Sequence, residues 1–193
     1  MEQLKAYLKD NSRLREYVPS ERDWEIISSR FTKREFSKKT ILTRIGETEN
    51  HLNFIIKGIA RFYIPNEEKD LTFNIVFDNG FLSAYDSFLT QTPSTYNIET
   101  LTECTLLQLT YGDLQIIYNE TEFGNIIGRL ASEELFLKKQ KRELSLLNLT
   151  AEQRYLNLFY EQPKLIQQIP LKYIASCIGI TPQALSRIRK RIS

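Results

Sequence analysis

The sequence predicts an α+β chain: N-terminal helices, a double-stranded β-helix or jelly roll, a long helix and a C-terminal helix-turn-helix. Three observations carry this. Between Phe31 and Leu109, short runs rich in β-branched and aromatic residues alternate with turn residues, the mark of a sandwich or jelly-roll-like barrel. From about Glu120 the apolar residues Phe123, Leu130, Leu137 and Leu144 recur every seventh position. Residues 170–193 then hold two helical stretches separated by Gly179.

The elements follow in order. Residues 2–30 read as helical, with Leu4, Leu8, Leu14 and Val18 at mixed helical spacings. Ser20-Glu21-Arg22-Asp23 resembles a capping box that opens a second helix, on which Trp24, Ile27 and Phe31 share a face. Strands are expected at 41–45, 53–56, 59–64, 71–77, 95–101 and 105–109. The turns between them carry Gly46, Lys57-Gly58, Pro65-Asn66, Asp78-Asn79-Gly80 and Thr92-Pro93-Ser94. A short helix is expected over 111–118, and the long helix follows.

On the long helix, Phe123, Ile126, Leu130, Leu137, Leu144 and Leu147 form a heptad seam interrupted by Glu133 and Gln140. A second stripe, Ile127, Ala131 and Leu135, is placed to pack on the β domain. One helix with two apolar faces can serve its own roll and a second copy of itself, so a homodimer is expected. Thr150 then caps a helix with Leu156 and Phe159 on one face; Pro163 stops it, and Pro170 starts the next. This divides the chain into 1–118 (roll), 119–147 (dimerisation helix) and 148–193 (helix-turn-helix domain).

Composition removes many functions. A chain of 193 residues buries a core without metal or disulfide staples. Cys104 and Cys177 alone exclude a disulfide scaffold and point to a reducing cytoplasm. The apolar runs are far shorter than the roughly 20 residues of a membrane span. Met1-Glu2-Gln3-Leu4-Lys5 does not read as a secretory signal. His51 is the only histidine, which argues against metal sites and cupin-type chemistry, and it reads as a turn residue. No HExxH, Walker-type loop, GxSxG or CxxC occurs, so neither an enzyme nor a cofactor is expected.

Charge is unevenly placed. Residues 1–137 hold 15 Lys+Arg against 21 Asp+Glu, a net of −6, whereas residues 138–193 hold 11 against 3, a net of +8. A basic end on an acidic body suggests a polyanionic partner.

The motif at the end makes this concrete. Gly179 suits the left-handed position that ends one helix; Thr181 is an N-cap, with Pro182 at the first position of the next. Ala175 is small where two helices must cross closely, and Leu185, Ile188 and Ile192 form the inward stripe of the second helix. At 100° per residue, Gln183, Ser186, Arg187 and Lys190 point away from that stripe, and Arg189 and Arg191 flank it. Arg reads guanine and Gln reads adenine through paired hydrogen bonds, while Ser, Lys and further Arg suit phosphates. Thr181, Gln183, Ser186, Arg187, Arg189, Lys190 and Arg191 are therefore the candidate contacts to double-stranded DNA. A second reading keeps the roll as a ligand sensor and docks the basic end on a protein partner instead. A membrane surface suits it poorly, because the apolar side of the last helix is claimed by the helix-turn-helix core.

Asn53-Phe54-Ile55-Ile56-Lys57-Gly58-Ile59-Ala60-Arg61, Thr100-Leu101-Thr102-Glu103-Cys104 and above all Pro170 to Arg191 resemble the Crp/Fnr family of bacterial transcription regulators, especially its short Bacteroidetes-type members. The resemblance implies a cyclic-nucleotide-binding-type β-roll sensor, a dimerisation helix and a C-terminal DNA-binding domain, with RNA polymerase as a further partner. It implies base reading by Gln183, Ser186 and Arg187, with Gln in place of the frequent Glu. Family members that bind cyclic AMP carry a Gly-Glu pair and a later Arg-Ser or Arg-Thr pair. Here Tyr85 stands at the Glu position, and residues 80–102 contain no Arg or Lys. A buried phosphate would lack its cation, so tight cyclic AMP binding is not expected. Two cysteines are too few for the iron–sulfur sensing of some relatives, and His51 is a poor haem ligand. An unknown small-molecule effector, or none, remains; Ser83, Tyr85, Asp86, Ser94 and Thr95 are either candidate lining residues of its pocket or turn and surface residues.

Overall fold

In the computed structural model, residues 1–10 and 17–192 are described; Leu14, expected on the first helix, lies outside them. The elements run α1 (Glu2–Asp10), α2 (Glu21–Arg30), β1 (Thr32–Phe36), β2 (Ile41–Thr43), β3 (His51–Lys57), β4 (Ala60–Ile64), β5 (Leu71–Val76) and β6 (Phe81–Leu82). Then come α3 (Tyr85–Thr90), β7 (Asn97–Thr100), β8 (Cys104–Thr110), α4 (Tyr111–Glu120) and α5 (Glu122–Asn148). The C-terminal helices are α6 (Ala151–Glu161), α7 (Pro163–Gln168), α8 (Leu171–Cys177) and α9 (Pro182–Ile192).

Side-chain caps define where the helices start. Ser20 Oγ accepts from the Asp23 amide at 3.0 Å, and Thr121 Oγ1 from the Gly124 amide at 3.0 Å. Thr110 with Asp113, and Thr150 with Gln153, form complete reciprocal capping boxes. Each cap satisfies a donor that the helix start leaves open.

The strands form two antiparallel four-stranded sheets, β1-β8-β3-β6 and β2-β7-β4-β5. Register explains the continuous apolar runs in β3 and β8. Phe54 pairs with Leu107 and Ile55 with Leu106. Ile55 and Leu106 join Phe62, Leu82 and Ile98 between the sheets. Phe54, Leu107 and Leu109 face the other way, onto Leu4, Leu8, Ile27, Leu114, Ile117, Phe123 and Leu130 of the helices. A strand buried on both faces reads as an unbroken hydrophobic run.

Several expectations are corrected. His51 does not sit in a turn but opens β3. β1 has no counterpart among the expected strands: Thr32-Lys33-Arg34-Glu35-Phe36 is almost wholly exposed and pairs with β8 alone, so it shows no apolar alternation. α3 and α7, six residues each, are too short to show a period. Pro163 ends α6 but also starts α7, at its first turn. On α6 the inward residues are Tyr155 and Leu158; Leu156 is half-buried and Phe159 is exposed.

α5 spans 27 residues, about 40 Å at 1.5 Å per residue. Its first half belongs to the chain's own core: Phe123 and Leu130 are buried there, and Ile126 and Ile127 pack against the same cluster. Gly128 lets α5 approach Tyr118, whose ring would lie within 2.6 Å of an added Cβ. The second half stands clear, with Phe136 (64%), Leu137 (56%), Leu144 (49%) and Leu147 (74%) exposed. The expected seam is therefore not continuous. Phe123 and Leu130 are buried in their own chain, Ile126 is half-buried against the same cluster, and Leu137, Leu144 and Leu147 are open. Of the second stripe, Ala131 is exposed and Leu135 half-buried.

Candidate nucleic-acid interface

α8 ends in a Schellman turn. The Gly179 amide donates to Ser176 O at 3.0 Å and the Ile180 amide to Ala175 O at 2.9 Å. Gly179 has φ +74°, a conformation that disfavours a side chain, although an added Cβ would find ordinary contact distances. The two remaining carbonyls are taken by arginines from other helices. Arg142 of α5 donates to Cys177 O at 3.3 Å, and Arg154 of α6 donates through Nε to Ile178 O at 2.9 Å. Arg154 also reaches Leu149 O, between α5 and α6, at 2.5 Å. The end of α8 thus leaves none of its final carbonyls open, and two positive charges sit at the negative end of its dipole.

α9 begins where the sequence indicates. Thr181 Oγ1 accepts from the Ala184 amide at 3.2 Å, and Thr181 O accepts from the Leu185 amide at 3.0 Å. Leu185 is fully buried between α8 and the rest of the C-terminal core, with Ile188 packed against it. Ile192, expected in the same stripe, is 39% exposed because the helix has run past its support.

Thr181, Gln183, Ser186, Arg187, Arg189, Lys190 and Arg191 are all exposed. They lie on one short helix whose opposite side is anchored. Arg191 is held by Glu152 of α6. Arg187 and Lys190 form no ion pair with a described residue, so their charges face solvent. The basic excess of residues 138–193 is otherwise largely engaged inside the chain. Lys138 pairs with Glu134 at 2.5 Å and Lys141 with Glu161 at 2.8 Å, while Arg142 and Arg154 hold the turn. In the sequence these charges read as attraction for a polyanion. Lys138 meets Glu134 four residues back on its own helix, but the roles of Lys141, Arg142 and Arg154 depend on contacts between helices apart in the chain, which no local pattern signals.

The effector candidates do not converge. Ser83 and Tyr85 line an open groove of about 1550 Å³ between the roll and α5, together with Phe73 and Tyr96; Asp86, Ser94 and Thr95 are not in its wall. Ser83 Oγ is buried without a hydrogen-bond partner among the described residues. Asp86 instead accepts from the Tyr96 hydroxyl. Ser94 is buried and bonds Tyr96 O at 2.8 Å, and Thr95 faces solvent. Sequence reasoning missed Glu49, which is buried in the roll. Its carboxylate accepts from the Thr43 hydroxyl at 2.5 Å, the His51 amide at 2.9 Å and the Ala84 amide, at the start of α3, at 3.3 Å. No group of three or more metal-binding side chains occurs among the described residues, and no described helix is long and apolar enough to cross a membrane.

Residues 33–121 match the cyclic nucleotide-binding domain family. Solved structures extend the likeness to the helices. The c-di-GMP responsive global regulator CLP of Xanthomonas campestris is 17% identical, with a TM-score of 0.67 over 90% of this chain and 91% of that one. FixK2 of Bradyrhizobium japonicum is 12% identical, with a TM-score of 0.69 over 84% of each chain. The chain has the fold of the Crp/Fnr regulators. The Thermus thermophilus catabolite activator protein, 15% identical, has a TM-score of 0.58 over 96% of this chain and 86% of its own. No curated protein matches the sequence. The Crp/Fnr architecture accounts for the order of parts here: an antiparallel roll, a long helix and a C-terminal helical group ending in α8 and α9.

Proposed function

We propose that the chain is a homodimeric, sequence-specific DNA-binding transcription regulator whose roll does not take cyclic AMP. The observation that carries this is α9: a helix locked by a Schellman turn and a buried Leu185, presenting Gln183, Ser186, Arg187 and Lys190 to solvent. Gln183 and Arg187 are the base readers, and Ser186, Lys190, Arg189 and Thr181 contact phosphates. Arg191, engaged by Glu152, is the weakest member of the set. A dimer through the open half of α5, Leu137, Leu144 and Leu147 with Phe136, brings two copies of α9 to major grooves about 34 Å apart on a near-palindromic site. RNA polymerase is the downstream partner in this reading.

The roll argues against a cyclic phosphate. Glu49 places a buried carboxyl group beside α3, Asp86 adds another acid nearby, and residues 80–102 contain no cation. A phosphate placed there would meet carboxylates and no compensating charge. Any effector of this roll is a different small molecule, one that alters the pose of α5 and shifts the population of the DNA-binding form.

Selection of bound fragments from random duplex DNA, followed by fluorescence anisotropy on the selected site, tests the reading. Recovery of a two-fold symmetric motif, bound far more tightly than random duplex, is the expected result. No association with any duplex in low-salt buffer overturns it. Calorimetry with cyclic AMP is expected to find no submicromolar binding.

A further inference from the structure

α8 rests on the roll. Its Ile174 and Ala175 share one buried cluster with Ile75 of β5, and Ile59, Phe77 and Leu101 of the roll close the same cluster. The roll therefore supplies part of the core from which the helix-turn-helix is built.

Beside this contact lies Arg61 of β4, whose side chain is 6% exposed. It stands opposite Ile75 on one side and Glu99 on the other. Its Nε donates to Glu99 at 2.7 Å, one terminal nitrogen to Asp70 at 2.8 Å and the other to Thr72 Oγ1 at 3.1 Å. Burial works against this charge, but the hydrogen bonds to Asp70 and Glu99 outweigh it and raise the pKa above its ordinary value. All three nitrogens are thus tied to the roll in the guanidinium plane. What the group still offers is its faces. The Tyr63 ring centre is 3.9 Å from the guanidinium carbon, and the Tyr173 ring centre, on α8, is 4.8 Å from it. A planar cation fixed at its edge makes a directional seat for an aromatic ring, which a lysine cannot reproduce.

We propose that Arg61 and Tyr173 are a positioning pair through which the roll sets the angle of α8 and, across the locked Gly179 turn, that of α9. Glu99 on β7 and Asp70 ahead of β5 hold the guanidinium, so a displacement of either strand moves the seat of Tyr173. α8 and α9 then follow as one body, because their mutual angle is fixed by the Gly179 and Ile180 amide bonds to Ser176 O and Ala175 O and by the packing of Ile180 and Leu185. The pair contacts no DNA in this arrangement; it acts through α9, and the proposal rests on α9 being the reading helix.

The experiment compares the full chain with Tyr173→Leu, Tyr173→Phe and Arg61→Lys. Amide hydrogen exchange over residues 171–177 is expected to rise about tenfold in Tyr173→Leu and Arg61→Lys, the size of a desolvated cation–π contact. Tyr173→Phe, which keeps the ring, is expected to match the wild type. The dissociation constant for the selected duplex is expected to rise about tenfold in the first two variants, with binding to random duplex at the same salt unchanged. Wild-type exchange in Tyr173→Leu, or equal losses in Tyr173→Leu and Tyr173→Phe, overturns the pair. If Tyr173→Leu unfolds, Arg61→Lys decides: it keeps a charge facing Asp70 and Glu99 but loses the planar seat together with part of the three-point bonding, so a rise in exchange over 171–177 with β4 and β5 unchanged supports the pair, and a rise over β4 and β5 as well, or none over 171–177, overturns it. The exchange measurement needs no DNA, so a failure of the DNA-binding reading and a failure of the pair are separately visible.

Discussion

Arg142 of α5 donates to the carbonyl oxygen of Cys177, the last residue of α8, at 3.3 Å. This hydrogen bond joins the long helix to the helix-turn-helix at the turn itself. Leu146, one turn further along α5, lies near Gly179 in the same place. Arg154 closes the arrangement from α6, bridging Ile178 O and Leu149 O. The segment between α5 and α6 is therefore braced against the turn that orients α9. A change in α5 has a short, polar route to α9.

The two arginines differ in weight. Arg154 is half-buried and satisfies two carbonyls; Arg142 is exposed and makes one long bond. Arg154→Ala is expected to destabilise the chain by about 1.5–3 kcal/mol, the range for hydrogen bonds to a charged group. Arg142→Ala is expected to cost about 1 kcal/mol or less, because solvent replaces an exposed partner. Equilibrium urea unfolding of both variants measures the difference.

On α9 the substitutions separate reading from attraction. Arg187→Ala is expected to weaken binding to the selected site by about 1–3 kcal/mol and to relax base preference at one position of each half-site. In the proposed reading, Lys190→Ala removes one phosphate neutralisation per protomer. It is expected to weaken all duplexes alike and to make the slope of log affinity against log salt shallower by about 1 for each protomer bound. Anisotropy titrations at several potassium chloride concentrations distinguish the two. A uniform weakening in Arg187→Ala would reassign that residue to the phosphates.

The helix-turn-helix was legible because its signals are local. Gly179, Thr181 and Pro182 each act on the backbone within a few residues, and Ala175 and Leu185 lie where the two helices meet. The roll was legible in its buried strands, whose apolar runs are unbroken. β1 was not, because an edge strand with exposed side chains carries no hydrophobic period. The seam on α5 was legible as a period but not as an assignment. The heptad spacing is the same for Phe123, covered by its own chain, and for Leu144, which is open. The roles of Arg61, Arg142 and Arg154 were hidden for a related reason. Each is defined by a partner brought near only by folding, and as isolated letters they are simply positive charges.

The divided seam gives a paired prediction. Leu144→Glu and Leu137→Glu place a charge on the open half of α5 and are expected to yield folded monomers, read by sedimentation equilibrium. Phe123→Ala lies in the same heptad register but inside the chain's own core, so it is expected to cost about 3–5 kcal/mol of stability as a core cavity. Dimers that persist in both glutamate variants would remove α5 as the interface.

Cys177 provides a test against redox sensing at the turn. Burial pushes its thiol from the ordinary 9.0 up to about 12, against a smaller lowering by Arg142. The thiolate is the reactive species, so at pH 8 the native chain is expected to react with a disulfide-type thiol reagent far more slowly than the urea-unfolded chain. Cys104, buried and also raised, is expected to behave in the same way. The sign for stability follows from the same shift. The fold prefers the protonated thiol, so the contribution of Cys177 is whole below pH 9.0 and is lost progressively as pH climbs toward about 12. Urea midpoints of the wild type should therefore fall over that alkaline range more steeply than those of Cys177→Ala, which lacks the titrating group. Rapid labelling of native Cys177 at neutral pH would contradict its raised pKa.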